Sequence, residues 1–110
     1  RVMGVSGAAA VPGERGVVIL ERIFVPEEGN VVRLTFVPTE QLGQEANSTM
    51  GPGTRLATLY HSHLTVGNFE GIALQQVGAA MVIHLLTDNN YRSGQLSLLY
   101  SLSVPVDKFD

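Results

Sequence analysis

The sequence contains no cysteine, and this absence removes several classes of protein at once. Disulfide scaffolds, zinc sites with thiolate ligands and thiol nucleophiles all require that residue. Lysine is almost missing too, with Lys108 as its one occurrence. Seven Lys and Arg against ten Asp and Glu give a net charge of −3. We therefore expect no direct binding of nucleic acid through a basic face.

Long apolar runs are also missing. No stretch of the chain approaches the roughly 18–20 apolar residues of a membrane-spanning helix, so no membrane partner is expected. No basic segment followed by an apolar one opens the chain, and no secretory signal is predicted. Charged residues are only 15% and hydrophobic residues 45% of the 110 residues. This composition favours one folded domain with a core over intrinsic disorder.

The apolar pattern predicts a mixed α/β domain with the order β-β-β-α-β-α-β-β. Thr39 as a cap and Glu40 in a first turn favour a short helix over residues 39–48. Phe69, Ile72 and Leu74 have helical spacing and favour a second helix over residues 68–77. The predicted strands are residues 2–10, 16–25, 31–37, 55–64, 81–86 and 95–104.

The segment His61-Ser62-His63 is the pattern that most directly suggests chemistry. Residues i and i+2 of a strand share a face, so both imidazoles could reach one metal ion. A catalytic zinc would need a third protein ligand and an open water position. The residue types do not identify that ligand, and two histidines without it are more often a packing or hydrogen-bonding feature.

Tyr60-His61-Ser62-His63 at the end of a strand resembles the Tyr-His-Ser-His-Pro core of the MPN/JAMM domain. The order of elements resembles that family over essentially all of residues 1–110. In its metalloproteases two histidines and an aspartate bind zinc, and an upstream glutamate activates the water. The resemblance implies an α/β fold of MPN type, with a curved mixed β-sheet flanked by two short helices. It also implies a single domain without the family's usual N-terminal and C-terminal helices.

Several family positions are changed in this sequence. Leu64 stands in place of the usual proline, Gly71 in place of the serine and Leu74 in place of the aspartate ligand. Arg1 stands where the family has its glutamate, and a guanidinium neither binds zinc nor accepts a proton at neutral pH. The resemblance therefore points to the inactive branch and to no enzyme activity. His61 and His63 are then remnant metal ligands of an empty site, and no cofactor is expected.

Members of the inactive branch are scaffold subunits. The last hairpin resembles that of the f subunit of eukaryotic translation initiation factor 3, with the non-catalytic MPN subunits of the proteasome lid or the signalosome as alternatives. The resemblance implies a heterodimer with another MPN subunit inside a multi-subunit complex. It also implies a cytoplasmic location, with the nucleus as a second compartment.

Two further hypotheses stay open at this point. In the first, the chain is a zinc-dependent isopeptidase with a degenerate site, in which Glu70 or His84 supplies the third ligand. In the second, the resemblance is accidental and the chain is a small β-rich binding or viral structural module. The second hypothesis predicts that residues 68–77 are not helical.

Overall fold

The computed structural model describes residues 4–27, 29–42, 53–60, 69–87 and 98–110 of the chain. Within these residues the structure consists of β-strands and two short 3₁₀ turns. The strands are β1 (Gly4–Val11), β2 (Gly16–Val25), β3 (Gly29–Pro38), β4 (Thr54–Tyr60), β5 (Phe69–Val77), β6 (Ala80–Thr87) and β7 (Leu98–Pro105). The 3₁₀ turns are Thr39–Gln41 and Val106–Phe109.

Strands β1 to β4 form an antiparallel sheet in which each strand pairs with its neighbour in the sequence. The turn between β1 and β2 ends at Gly16, whose φ is +148°. A Cβ at Gly16 would overlap the carbonyl oxygen of Val37 and lie 2.9 Å from the Cα of Pro38. Glycine is therefore required where β2 begins, because any side chain would collide with the backbone of β3.

Strands β5 to β7 form a second antiparallel sheet, with β6 in the centre. Val77 pairs with Ala80, so β5 and β6 are joined by the two residues Gly78 and Ala79. Gly78 has a φ of +59°. A two-residue hairpin turn needs positive φ in its loop, and glycine adopts it without steric cost.

The core lies between the two sheets. Side chains of a strand alternate between its faces, and in each sheet one of the two faces carries the residues that meet in the core. The aromatic rings of Phe36 from β3 and Phe109 from the last 3₁₀ turn meet edge to face, with centroids 4.9 Å apart. The buried cluster consists of Val11, Val18, Leu20, Val32, Leu34, Phe36, Met81, Ile83, Leu85 and Phe109.

The prediction of an α/β fold with two flanking helices is wrong. In place of the helix predicted over residues 39–48, the described residues have only the 3₁₀ turn Thr39–Gln41, and Leu42 has extended backbone angles. Thr39 does not cap it, because its hydroxyl donates to the carbonyl oxygen of Glu14 at 2.8 Å. The Thr39 side chain thus bonds to the β1–β2 turn instead of to the helix N-terminus. Residues 43–48 of the predicted helix lie outside the described residues.

The second predicted helix is strand β5. The apolar spacing of its sequence fits both periods over a short stretch, which is a known ambiguity of such runs. In the strand Ile72 and Leu74 pack against the core, whereas Ala73 and Gln75 are exposed on the other face. The tight turn after Val77 decides between the two periods, because it pairs β5 with β6 along its whole length.

Three predicted strands are confirmed at their described positions. Residues 16–25 are β2, residues 31–37 lie within β3 and residues 81–86 lie within β6. For three more, the described residues are also extended, in β1, β4 and β7. Residues 2–3, 61–64 and 95–97 of those predictions lie outside the described part of the chain. Within that part, no helix is long and apolar enough to cross a membrane.

Candidate active site on the outer face of the second sheet

The face of the second sheet that points away from the core carries the polar groups of interest, and we call it the outer face. On β6 the residues Met81, Ile83 and Leu85 are fully buried, so the residues between them lie on the outer face. The pairing of β6 with its neighbours places the outer-face residues in rows across the sheet. Those rows are Gly71-Leu86-Leu99, Ala73-His84-Ser101 and Gln75-Val82-Ser103.

His84 and Ser101 form a hydrogen-bonded pair in the middle of this face. They are direct cross-strand partners on β6 and β7. The Nδ1 atom of His84 lies 2.8 Å from the hydroxyl oxygen of Ser101. His84 is half-buried and Ser101 is exposed, so the serine hydroxyl is open to a ligand from solvent.

Gln75 approaches the other nitrogen of the same imidazole. Its Oε1 atom lies 3.5 Å from Nε2 of His84. This distance is longer than an ordinary N–H···O bond, and such contacts often tighten when a ligand binds. An amide oxygen at Nε2 favours the tautomer that carries its proton there. Nδ1 is then unprotonated and accepts the hydrogen bond from the Ser101 hydroxyl.

This arrangement has the chemical parts of an activated serine. A hydroxyl becomes a competent nucleophile when an adjacent base accepts its proton. In the tautomer with its proton on Nε2, His84 presents such a base, with Nδ1 2.8 Å from the Ser101 oxygen. Gln75 at Nε2 corresponds to the third group in the triads of unrelated hydrolases, which orients the base and fixes its tautomer.

Two exposed leucines lie beside the pair. Leu86 and Leu99 are direct partners across β6 and β7, one row away from His84 and Ser101. Their side chains are 44% and 64% exposed. Gly71 completes their row on β5, where a Cβ would meet Leu86 at 3.5 Å. Gly71 itself therefore places no side chain against Leu86.

A cleft of about 290 Å³ lies elsewhere, near the turn between β1 and β2. The Arg15 guanidinium at its wall is already bonded to the carbonyl oxygen of Pro12 at 2.7 Å, to Gln76 at 3.2 Å and to Asp110 at 3.3 Å. These bonds tie the first turn to the second sheet and to the end of the described chain. Arg15 therefore serves the fold, and we assign no chemistry to the cleft.

The histidines singled out from the sequence, His61 and His63, lie outside the described residues. His84, considered above as a third zinc ligand, contacts Ser101 and Gln75. Glu70 is on β5, but its side chain is not among those described. Across the described ranges no group of three or more His, Cys, Asp or Glu residues is placed to hold a metal ion.

Sequence reasoning missed Ser101 and Gln75 altogether. The signal that could have found Ser101 is its position in the alternation of β7, where polar Ser101 and Ser103 separate the core-facing residues. The alternation says only that Ser101 faces away from the core. Its contact with His84 depends on the register of β6 against β7, which the sequence pattern does not specify.

Comparison with known proteins overturns the MPN/JAMM resemblance. The model of a family described as "Phytase-like: Esterase-like activity of phytase" matches residues 1–91. No curated protein and no solved structure matches the chain. The match, together with a described structure built of two β-sheets, replaces the interpretation as a non-catalytic MPN scaffold of an initiation factor, a proteasome lid or a signalosome.

The prediction that the chain is not an enzyme is wrong for the same reason, because the matching family is described by an enzymatic activity. That prediction depended on family positions such as Arg1 and Leu74, which have no meaning outside the MPN family. The heterodimer with another MPN subunit and the cytoplasmic or nuclear location rested on the same resemblance and lose their support with it. The family match covers most of the chain, and the chain belongs to the phytase-like family.

Proposed function

We propose that the chain hydrolyses esters, with Ser101 as the nucleophile, His84 as the general base and Gln75 as the residue that orients the base. The family description, with its esterase-like activity, supports the reaction class. The observation that carries the residue assignment is the 2.8 Å contact between the Ser101 hydroxyl and Nδ1 of His84. Within the described residues His84 is the histidine available as a base, since His61 and His63 lie outside them.

In the first step the Ser101 oxygen attacks the electrophilic carbon or phosphorus of the ester. Its proton passes to Nδ1 of His84, and a new bond forms from Oγ to the attacked atom. The bond to the leaving alcohol breaks, and the alcohol oxygen takes the proton from the imidazolium. The proton ends on the alcohol together with the electron pair of the broken bond, and the products are a free alcohol and a covalent Ser101 ester.

In the second step a water molecule replaces the alcohol. His84 accepts a proton from the water, whose oxygen attacks the Ser101 ester and releases the acid. The Ser101 oxygen regains its proton from the imidazolium. Gln75 holds the ring by accepting the Nε2–H, and because an amide is neutral it stabilises the imidazolium less than a carboxylate would.

The test compares three forms of the chain on p-nitrophenyl acetate and p-nitrophenyl phosphate: the unchanged chain, Ser101→Ala and Ser103→Ala. Ser103 is the matched control, because it lies on the same strand and the same face but pairs with Val82. We expect Ser101→Ala to lower kcat/KM by about 10²–10⁴-fold, the usual size of this kind of catalysis. Ser103→Ala should leave the rate unchanged, and circular dichroism should show all three to be folded.

Two outcomes would overturn the proposal. One is that the unchanged chain hydrolyses neither ester above the buffer rate. The other is that Ser101→Ala retains the rate of Ser103→Ala, which would place the hydrolytic group elsewhere. His84→Gln supplies a second test, because it removes the base with a side chain of similar reach and should lower the rate as Ser101→Ala does.

A further inference from the structure

We infer that the ester accepted at Ser101 is a carboxylic ester with an uncharged apolar acyl chain, which lies along Leu86 and Leu99, and not a phosphate monoester. This inference rests on the proposed function of Ser101 and His84 and adds the substrate class. It depends on two independent features of the outer face, its charge and its exposed apolar side chains.

The first feature is the charge of the second sheet. Strands β5, β6 and β7 contain no Lys or Arg, and Glu70 is their one charged residue. Enzymes that act on phosphate esters neutralise the phosphoryl oxygens with Arg, Lys or metal ions, because these oxygens carry negative charge in the substrate and the transition state. Within the described residues of this sheet no such group is present, whereas the carbonyl of a carboxylic ester is neutral when it binds.

Arg15 does not alter this argument. It reaches the sheet through Gln76, which alternates onto the face of β5 opposite to Gln75. Its guanidinium is also shared with the carboxylate of Asp110. A cation on the other face, paired with an anion, cannot neutralise a phosphate at Ser101.

The second feature is the apolar row next to the nucleophile. Leu86 follows His84 by two residues on β6, and Leu99 precedes Ser101 by two on β7, so the row lies roughly 7 Å from the pair. An acyl chain of four to six carbons attached at Ser101 spans that distance. Gly71, the β5 member of the row, contributes no side chain of its own beside Leu86.

In the reaction this assignment implies, the Ser101 oxygen bonds to the acyl carbon and the bond from that carbon to the alcohol oxygen breaks. The Ser101 proton travels through Nδ1 of His84 to the departing alcohol, and water later takes the place of serine. The acyl chain remains on the protein between the two steps. Contacts with Leu86 and Leu99 therefore assist both acylation and the positioning of the acyl-enzyme.

The experiment measures kcat/KM for p-nitrophenyl acetate, butyrate and hexanoate, and for p-nitrophenyl phosphate. The proteins are the unchanged chain, Leu86→Ala/Leu99→Ala, Leu86→Met/Leu99→Met and Val77→Ala. Val77 is the control, because it is an exposed apolar residue like the two leucines, at 54%, but it lies at the end of β5 and pairs with Ala80, away from His84. The Met variant keeps an apolar surface of similar volume.

We expect the unchanged chain to prefer hexanoate over acetate by roughly tenfold, as apolar contacts of a few methylene groups allow. The ratio of kcat/KM for hexanoate to that for acetate should fall close to one in the double Ala variant. It should stay near the value of the unchanged chain in the double Met and Val77 variants. Ser101-dependent hydrolysis of p-nitrophenyl phosphate without hydrolysis of the carboxylic esters would overturn the inference and leave the proposed function standing.

Other results also separate the two claims. A preference for hexanoate that survives the double Ala variant, or no preference in the unchanged chain, would overturn the role of the two leucines alone. Absence of hydrolysis of every ester, or hydrolysis that survives Ser101→Ala, would overturn the proposed function itself. Thermal unfolding of each variant shows whether a lost preference has a structural cause, and the Met variant distinguishes lost contact from lost fold.

Discussion

Leu85 and Leu86 are adjacent leucines on opposite faces of β6, and they provide a matched test of the two-sheet structure. Leu85 is fully buried, and its pairing partners Ile72 and Tyr100 also pack against the core. Leu86 is 44% exposed on the outer face. The perturbation is the same in both cases, the replacement of one leucine side chain by alanine.

The two replacements should have very different costs. Neighbouring strands surround Leu85, so the space left by Leu85→Ala cannot close easily and the free energy of unfolding should fall by about 3–4 kcal/mol. That is a large share of the roughly 5–15 kcal/mol typical of whole domains. At about 4 °C per kcal/mol for a domain of this size, the melting temperature should fall by about 12–16 °C. Leu86→Ala should cost less than about 1 kcal/mol.

Urea unfolding followed by far-ultraviolet circular dichroism measures both values, because the chain has no tryptophan for a fluorescence assay. The slope of free energy against urea should be equal in the two variants, so that the difference lies in the midpoint. Equal costs for Leu85→Ala and Leu86→Ala, or a larger cost for Leu86→Ala, would refute the assignment of faces on β6 and with it the position of His84.

Three further predictions concern other parts of the chain. Gly16→Ala should lower the free energy of unfolding by more than about 2 kcal/mol, because the added Cβ collides with the backbone of β3. The Cβ added by Gly78→Ala has no atom within 4 Å, so this change should cost only about 1 kcal/mol. Equal melting temperatures of the two variants would contradict this. Arg15→Ala should cost about 1–2 kcal/mol in urea unfolding, chiefly through its bond to the Pro12 carbonyl, because Asp110, its partner in the ion pair, is 63% exposed. A loss abolished by high salt would show that the ion pair dominates. After dialysis against trace zinc, elemental analysis should find a zinc-to-protein ratio far below one, because His61 and His63 supply only two of the four ligands of a tetrahedral site. A ratio near one that His61→Ala removes would disprove this prediction.

Alternation of apolar residues was sufficient to predict the strands with strong patterns. β2 and β3 are rich in β-branched residues, and both were predicted where the structure has them. The failure at β5 has a physical reason. Phe69 and Ile72 are three residues apart, as on one face of a helix, whereas Ile72 and Leu74 are two apart, as on one face of a strand. The turn at Gly78 and the pairing with β6 determine the outcome, and both are tertiary information that a single short segment does not contain.

The first predicted helix failed for a different reason. Thr39 was expected to cap it, but its hydroxyl and backbone N–H both bond to the β1–β2 turn, at the carbonyl oxygens of Glu14 and Arg15. A capping residue is recognised from local sequence, whereas its competing partners here lie more than twenty residues away. Tertiary hydrogen bonds thus replaced the local preference.

The candidate site could be predicted from the sequence only in part. His84 lies on a strand that the sequence predicts, and its separation from the core face follows from the alternation of β6. Its partners Ser101 and Gln75 come from two other strands, and each contact requires the correct register. His61 and His63 stand out in the sequence because residues i and i+2 of a strand share a face. The MPN resemblance, which depended on an order of elements with two incorrect helices, added the role of remnant zinc ligands.

The most direct test of the account is covalent capture of the proposed nucleophile. An alkyl fluorophosphonate transfers its phosphonyl group to an activated serine with loss of fluoride, and peptide mass spectrometry then identifies the modified residue. We expect a single modification on Ser101, and His84→Gln should lower its rate by at least about 10²-fold. Absence of modification, modification of another residue, or a rate at Ser101 unchanged by His84→Gln would contradict it.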